Sequence, residues 1–148
     1  MISPTLPGMP KRARLKKTPS PDMPRGPALS CPVEVRIPIR LRNPNNSRQH
    51  WRVVWRRGEA EKSAVAMVLR SRLGVVPPAL PVTITITKIS TGHSDGDGLQ
   101  ASCKHTRDAC AKWLGVDDGS DLLTWRYDQR SEGRGVFAAI VRMEARTA

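Results

Sequence analysis

The sequence predicts an α+β fold: one mixed β-sheet packed against two helices, in the order β-α-β-α-β-β. Three observations point there. The run VTITITKIS at 82–90 alternates with period two and is rich in β-branched residues. Leu99, Cys103, Thr106, Cys110 and Trp113 recur at i, i+4, i+7, i+11 and i+14, one face of a helix. A chain of 148 residues with 39% hydrophobic residues has room for one modest core and little more.

The elements follow in order. Residues 1–30 hold seven prolines and the basic block Lys11–Lys17, too little apolar surface to offset the entropy of ordering them. They read as a disordered basic arm. A phosphate tether, a solvated tail and a translation start at Met9 or Met23 all stay open. From residue 31 to 148 the signals are those of a folded domain. Val33, Val35, Ile37 and Ile39 alternate with Glu34, Arg36, Pro38 and Arg40, a half-buried strand that Pro38 places at an edge or ends early.

LRNPNNSRQHWR at 41–52 reads as a loop. EAEKSAVAMVLRSRL at 59–73 reads as a helix with Ala64, Val65, Val68, Leu69 and Leu73 apolar, ended by VVPPALP. The second helix runs from Leu99, with Gly115 placed to stop it. LLTWRYD and GVFAAIVRME then read as two antiparallel strands joined by the turn-like QRSEGR.

Charge narrows the partner. Twenty-five Lys and Arg against 13 Asp and Glu give +12, which points to a polyanion, with nucleic acid ahead of an anionic membrane. No apolar run nears the roughly 18 residues of a membrane span, and the N-terminus lacks the apolar core of a secretory signal. The expectation is a soluble, cytoplasmic protein. Cys31, Cys103 and Cys110 lack C-x-x-C spacing and read as ordinary thiols, with Cys103 and Cys110 on the buried face of their helix.

Six of the 13 acidic residues, Asp95, Asp97, Asp108, Asp117, Asp118 and Asp121, crowd between 95 and 121. If HSDGDGLQ is extended, Asp95 and Asp97 point the same way. Two carboxylates ~5 Å apart repel by roughly 3 kcal/mol at an effective dielectric near 20. A raised pKa, a basic neighbour or a bound cation must offset that. Oxygen ligands at an open site suit Mg²⁺, which takes one or two carboxylates and a substrate phosphate. The plainer reading is an acidic turn, with Asp97 as a helix N-cap.

The ordered set VTITITKIS, Asp95-x-Asp97, a basic helix, LGVDDG and a strand carrying W-x-Y-x-Q resembles the RusA-like endodeoxyribonucleases, the Holliday-junction resolvases common in phages and prophages. IPIRLRNPNNSRQHWR is similar to the family's opening strand and Asn-rich basic loop, so the likeness spans residues 33–143. It implies a homodimeric, Mg²⁺-dependent nuclease, with Mn²⁺ able to substitute, that nicks four-way DNA junctions in pairs. It maps the acidic ligands onto Asp95, Asp97 and Asp118, with Asp117 the other choice for the third, and the helix lysine onto Lys104. One departure stands out: Gly98 occupies the place where the family usually has Asn.

Reach tests the third ligand. A helix ending at Ala111 puts Asp118 seven residues further on, at most ~24 Å of extended chain, just enough to double back. A helix ending at Leu114 leaves too few, and Asp118 would then serve a twofold mate or no site. The early ending is expected. Lys104 could hold a phosphate or pair with Asp108 at i+4. Lys104 and Arg107 belong to the stripe beside the buried one, with Arg107 a candidate DNA contact, and Arg48, His50, Trp51, Arg52, Arg56 and Arg57 combine cations with flat rings in or next to a loop. Phosphate clamping and base stacking fit that set, although core anchoring is the expected role of Trp51 and Trp55. Two rival readings remain: a catalytically impaired protein that binds branched DNA, and a metal phosphohydrolase acting on small molecules.

Overall fold

In the computed structural model, which describes residues 23–44 and 48–147, a four-stranded mixed sheet carries the helices. The elements run β1 (Val33–Ile37), α1 (Trp51–Leu73), β2 (Val82–Ile89), α2 (Gly96–Ser102), α3 (Lys104–Leu114), β3 (Leu123–Arg130) and β4 (Ala138–Ala145). Across the sheet the strands lie in the order β1-β4-β2-β3. β2 pairs antiparallel with β4 and parallel with β3, and β1 pairs antiparallel with β4.

The α+β class and the single mixed sheet match the expectation, but two details differ. β3 and β4 are not hairpin mates, because β2 lies between them. Alternation in a sequence marks which residues face the core and says nothing about which strand is the neighbour. The expected second helix is two segments, α2 and α3, joined at Cys103. Cys103 donates its N–H to the carbonyls of both Leu99 and Gln100, the bifurcated pattern of a tightened turn.

Periodicity becomes packing directly. Val82, Ile84 and Ile86 of β2 are fully buried and pair with Ala145, Met143 and Val141 of β4. Leu99, Cys103, Thr106, Cys110 and Trp113 are all buried, so the stripe at helical spacing is the face turned to the core. Burial pushes the thiols of Cys103 and Cys110 up to about 12, and both cysteines are free. α1 packs on α3 and β1 through Val65 and Leu69. β1 stops at Ile37, before Pro38, and occupies an end of the sheet. Gly115 ends α3 in the left-handed region at φ 73°, with its N–H on the Ala111 and Lys112 carbonyls.

α1 begins eight residues earlier than its apolar periodicity indicates. The His50 side chain caps it, Nδ1 accepting from the Arg52 N–H at 3.2 Å. Trp51, Arg52, Arg56 and Arg57 therefore stand on a helix rather than in a loop. Of the proline-rich opening, residues 1–22 lie outside the described residues. Residues 23–30 run along the domain, with Gly26 donating to the Pro77 carbonyl and the Ala79 N–H to that of Pro27.

Candidate functional site

The acidic turn sits where β2 ends and α2 begins. Asp95 is the N-cap of α2: its backbone is extended and its Oδ1 accepts the Gly98 N–H at 2.7 Å. Asp97 lies in the first turn of the helix, exposed to solvent. Two expectations change accordingly. The cap is Asp95 rather than Asp97, and the two carboxylates do not share one side of an extended strand, because the chain turns helical at Gly96. Residues i and i+2 of a helix do not face each other. Gly98 makes the cap possible. A Cβ there would stand 2.6 Å from Asp95 Oδ1 and 3.5 Å from Asn43 Nδ2, so a larger residue would displace the carboxylate.

Asp118 is held elsewhere. α3 continues to Leu114 rather than ending at Ala111, and Asp118 Oδ2 meets Arg107 Nε at 3.2 Å. Arg107 also donates to the Asp118 carbonyl and the Tyr127 hydroxyl, and lies 5.0 Å from the Trp125 ring. Among the described residues no three or more His, Cys, Asp or Glu side chains are grouped to hold a metal. Asp117 Oδ1 accepts from the Gly119 N–H within its own turn. Lys104 opens α3 and is exposed, while Asp108, its expected i+4 partner, faces Lys62 of α1 at 3.9 Å.

The W-x-Y-x-Q strand is a rail beneath these groups. Residues two apart on a strand share a face, and Trp125, Tyr127 and Gln129 each hold one part of the site. Trp125 Nε1 donates to the Asp118 carbonyl at 2.8 Å, and Tyr127 takes Arg107. Gln129 grips Ser94 twice, accepting from its N–H at 2.9 Å and donating to its carbonyl at 2.7 Å. Ser94 immediately precedes Asp95, so Gln129 fixes the start of the acidic turn.

The cations expected to meet DNA divide into two groups. Arg48, Arg52 and Arg56 are exposed with His50 at and before the start of α1, and Arg52 lies 5.4 Å from the Trp51 ring. Arg57 is half-buried and donates to Gln49. Trp51 and Trp55, expected to anchor in the core, are 66% and 61% exposed. They fall on the first turns of α1, beyond the stretch where Gly58, Glu61, Val65 and Leu69 face the core. Arg107, in contrast, spends its guanidinium on Asp118, Tyr127 and Trp125.

A second group of residues, not singled out by sequence pattern, lies beside the turn. Arg40, Arg42, Asn43, Lys88, His93 and Ser94 line a cavity of about 360 Å³ at the end of β2 beside the acidic turn. Lys88 is only 8% exposed, and its Nζ donates to the Ser94 and Ser102 hydroxyls at 3.1 and 3.2 Å. The signal was present: Val82, Ile84, Ile86 and Lys88 share one phase of the strand, so the lysine stands where an apolar residue is due. Burial holds its pKa below the ordinary lysine value, and the charge of Arg40 adds to that. Among the described residues it has no ion pair.

No family model matches the chain, and no curated protein matches it. No helix among the described residues is long and apolar enough to cross a membrane.

Proposed function

We propose that the protein is a metal-dependent endodeoxyribonuclease of the RusA-like kind, acting as a homodimer on four-way DNA junctions. The observation that carries this reading is the position of Asp95 and Asp97, two carboxylates in one short turn on a molecule of net charge +12, beside a cavity lined by Arg40, Arg42 and Lys88. Cationic surface collects the phosphate backbone, and a local acidic pair suits the ion that would help cut it.

Asp97 and the second oxygen of Asp95 are the carboxylate oxygens that would hold a hard cation such as Mg²⁺, which accepts one or two carboxylates and completes its shell with water and phosphate; sharing one ion requires Asp97 to turn toward the cap. When bound, that ion supplies Lewis acidity and an activated water. Asp118 serves as a third ligand only if it leaves Arg107, or if it serves the site of a twofold mate. The chain's own residues do the rest. Gln129 fixes Ser94 and thereby the turn, Lys104 offers an exposed ammonium two residues past the end of α2, and the exposed Trp51, Arg52, Trp55 and Arg56 present rings and cations to bases and phosphates. A symmetric dimer would set equivalent sites against opposing strands of the junction.

The test is nicking of a synthetic four-way junction. Mg²⁺ or Mn²⁺ should support paired, symmetry-related cuts, and Asp95→Asn and Asp97→Asn should each lower the rate by at least ~100-fold while junction binding persists. The binding-only reading draws on a specific observation, the engagement of Asp95 as a cap and of Asp118 with Arg107. Junction binding without cuts in either metal would favour it.

A further inference from the structure

We propose that the cavity between Arg40, Arg42 and Lys88 is a phosphate-binding site, and that its natural occupant is a backbone phosphodiester of the nucleic-acid strand that the neighbouring acidic turn would act on. The identity of the strand rests on the reading above; the phosphate chemistry of the cavity does not.

Three cations line this cavity and no carboxylate does. Lys88 is more than nine-tenths buried, yet its described partners are two neutral hydroxyls, which leave one of the three ammonium protons over. A buried cation is costly unless it is paired. Arg40 lies 4.2 Å from the Phe137 ring, and among the described residues neither Arg40 nor Arg42 has a carboxylate partner. Three like charges around one opening repel one another, and an oxyanion placed among them reverses the sign of each interaction. The cavity has room for a phosphate with its ester oxygens and ordered water.

The walls are built rather than incidental. Arg40 and Arg42 lie just past the end of β1, Lys88 is near the end of β2, and Gln129 of β3 holds Ser94 in place. Ser90 donates to the Gly92 carbonyl at 2.8 Å, and Thr91 accepts from the Gly135 N–H at 2.9 Å, which fixes the intervening loop. Asn43, another lining residue, comes near Gly98 of that turn, its Nδ2 3.5 Å from where a Cβ there would stand. A phosphate in the cavity would therefore lie next to the acidic turn. Arg forks recognise phosphate bidentately and lysine acts as a point charge, so the set suits a phosphate better than a carboxylate.

Binding to the full chain in EDTA, where cutting does not occur, tests the site apart from the nuclease reading. Two probes are titrated by calorimetry: a short single-stranded oligonucleotide without terminal phosphates, and inorganic phosphate. Arg40→Ala/Arg42→Ala and Lys88→Met should each weaken the oligonucleotide by at least ~10-fold. The double variant should also flatten the log–log salt dependence by about 0.7 per lost phosphate contact. Lys112→Ala, which removes an exposed cation on α3, should change affinity less than ~2-fold. The arginine variant keeps the test sound if the buried Lys88→Met fails to fold. Oligonucleotide binding unchanged across the set, with inorganic phosphate bound by the wild type and lost in the variants, would keep the site and assign it to free phosphate. Neither probe responding to the variants would overturn the proposal. Loss of binding in the variants, in a protein that never nicks junctions, would sink the nuclease reading and leave the phosphate site standing.

Discussion

Glu61 shows how one side chain can give the molecule a pH dependence unrelated to its acidic turn. It faces the core of the α1–α3 contact at 9% exposure, and its Oε1 accepts from the Thr106 hydroxyl at 3.2 Å. Burial pushes its pKa up from 4.5 to about 7, against the opposing pull of the Thr106 bond. A carboxyl group raised in the folded state stabilises fully below its unfolded pKa, and that stabilisation is lost as pH rises through the folded value. The window is therefore pH 4.5 to about 7, and the amount at stake is roughly 3 kcal/mol. Glu61→Gln keeps an acceptor for Thr106 and removes the charge. Urea denaturation should find it more stable than the wild type by up to roughly 3 kcal/mol near pH 8 and about equal near pH 4. Equal stabilities at both pH values would contradict this account of Glu61.

At the level of elements, β3 couples the two halves of the site. Its Trp125, Tyr127 and Gln129 hold the Asp118 loop, Arg107 and Ser94 respectively. Gln129→Ala would remove both bonds to Ser94, each worth about 1 kcal/mol net, and leave a backbone pair to find other partners. Amide exchange at Ser94 should quicken by at least ~10-fold, while exchange in the centre of β2 stays slow; unchanged exchange at Ser94 would refute the rail. Much of this was legible in the chain. The β2 alternation, the buried stripe from Leu99 to Trp113, the Gly115 stop and the edge position of β1 all follow from side-chain period and special residues. The neighbour relations were not legible, because period two reports a face and not a partner, and so β4 was assigned to β3 rather than β2. The start of α1 was hidden because its first turns, around Trp51 and Trp55, face solvent and break the apolar period. Strand geometry carried on from β2 through Ser94 into Asp97 puts the cap at Asp97, whereas the chain turns helical at Gly96 and leaves it to Asp95. Lys88 interrupts the apolar phase of β2 and so marks the cavity in the sequence.

For the whole molecule, charge and exposed rings make a single argument. A net charge of +12 favours any polyanion, but flat rings beside arginines favour one with bases. Trp51 and Trp55 contribute little to the fold at 66% and 61% exposure, so removing them should shift stability by no more than about 0.5 kcal/mol. Stacking on a base is worth about 1–3 kcal/mol, so Trp51→Ala/Trp55→Ala should weaken binding of a junction with an open centre by at least ~5-fold. Intrinsic tryptophan fluorescence should be quenched on binding in the wild type and less so in the variant. A variant with full affinity and lower stability would return both rings to a structural role.

The proposed sharing of a divalent ion by Asp95 and Asp97 is read out by a calorimetric titration of Mg²⁺ into the junction-bound protein. Saturable binding in the wild type that Asp97→Asn abolishes is the predicted result. Heats indistinguishable between the two proteins throughout the millimolar range would contradict it.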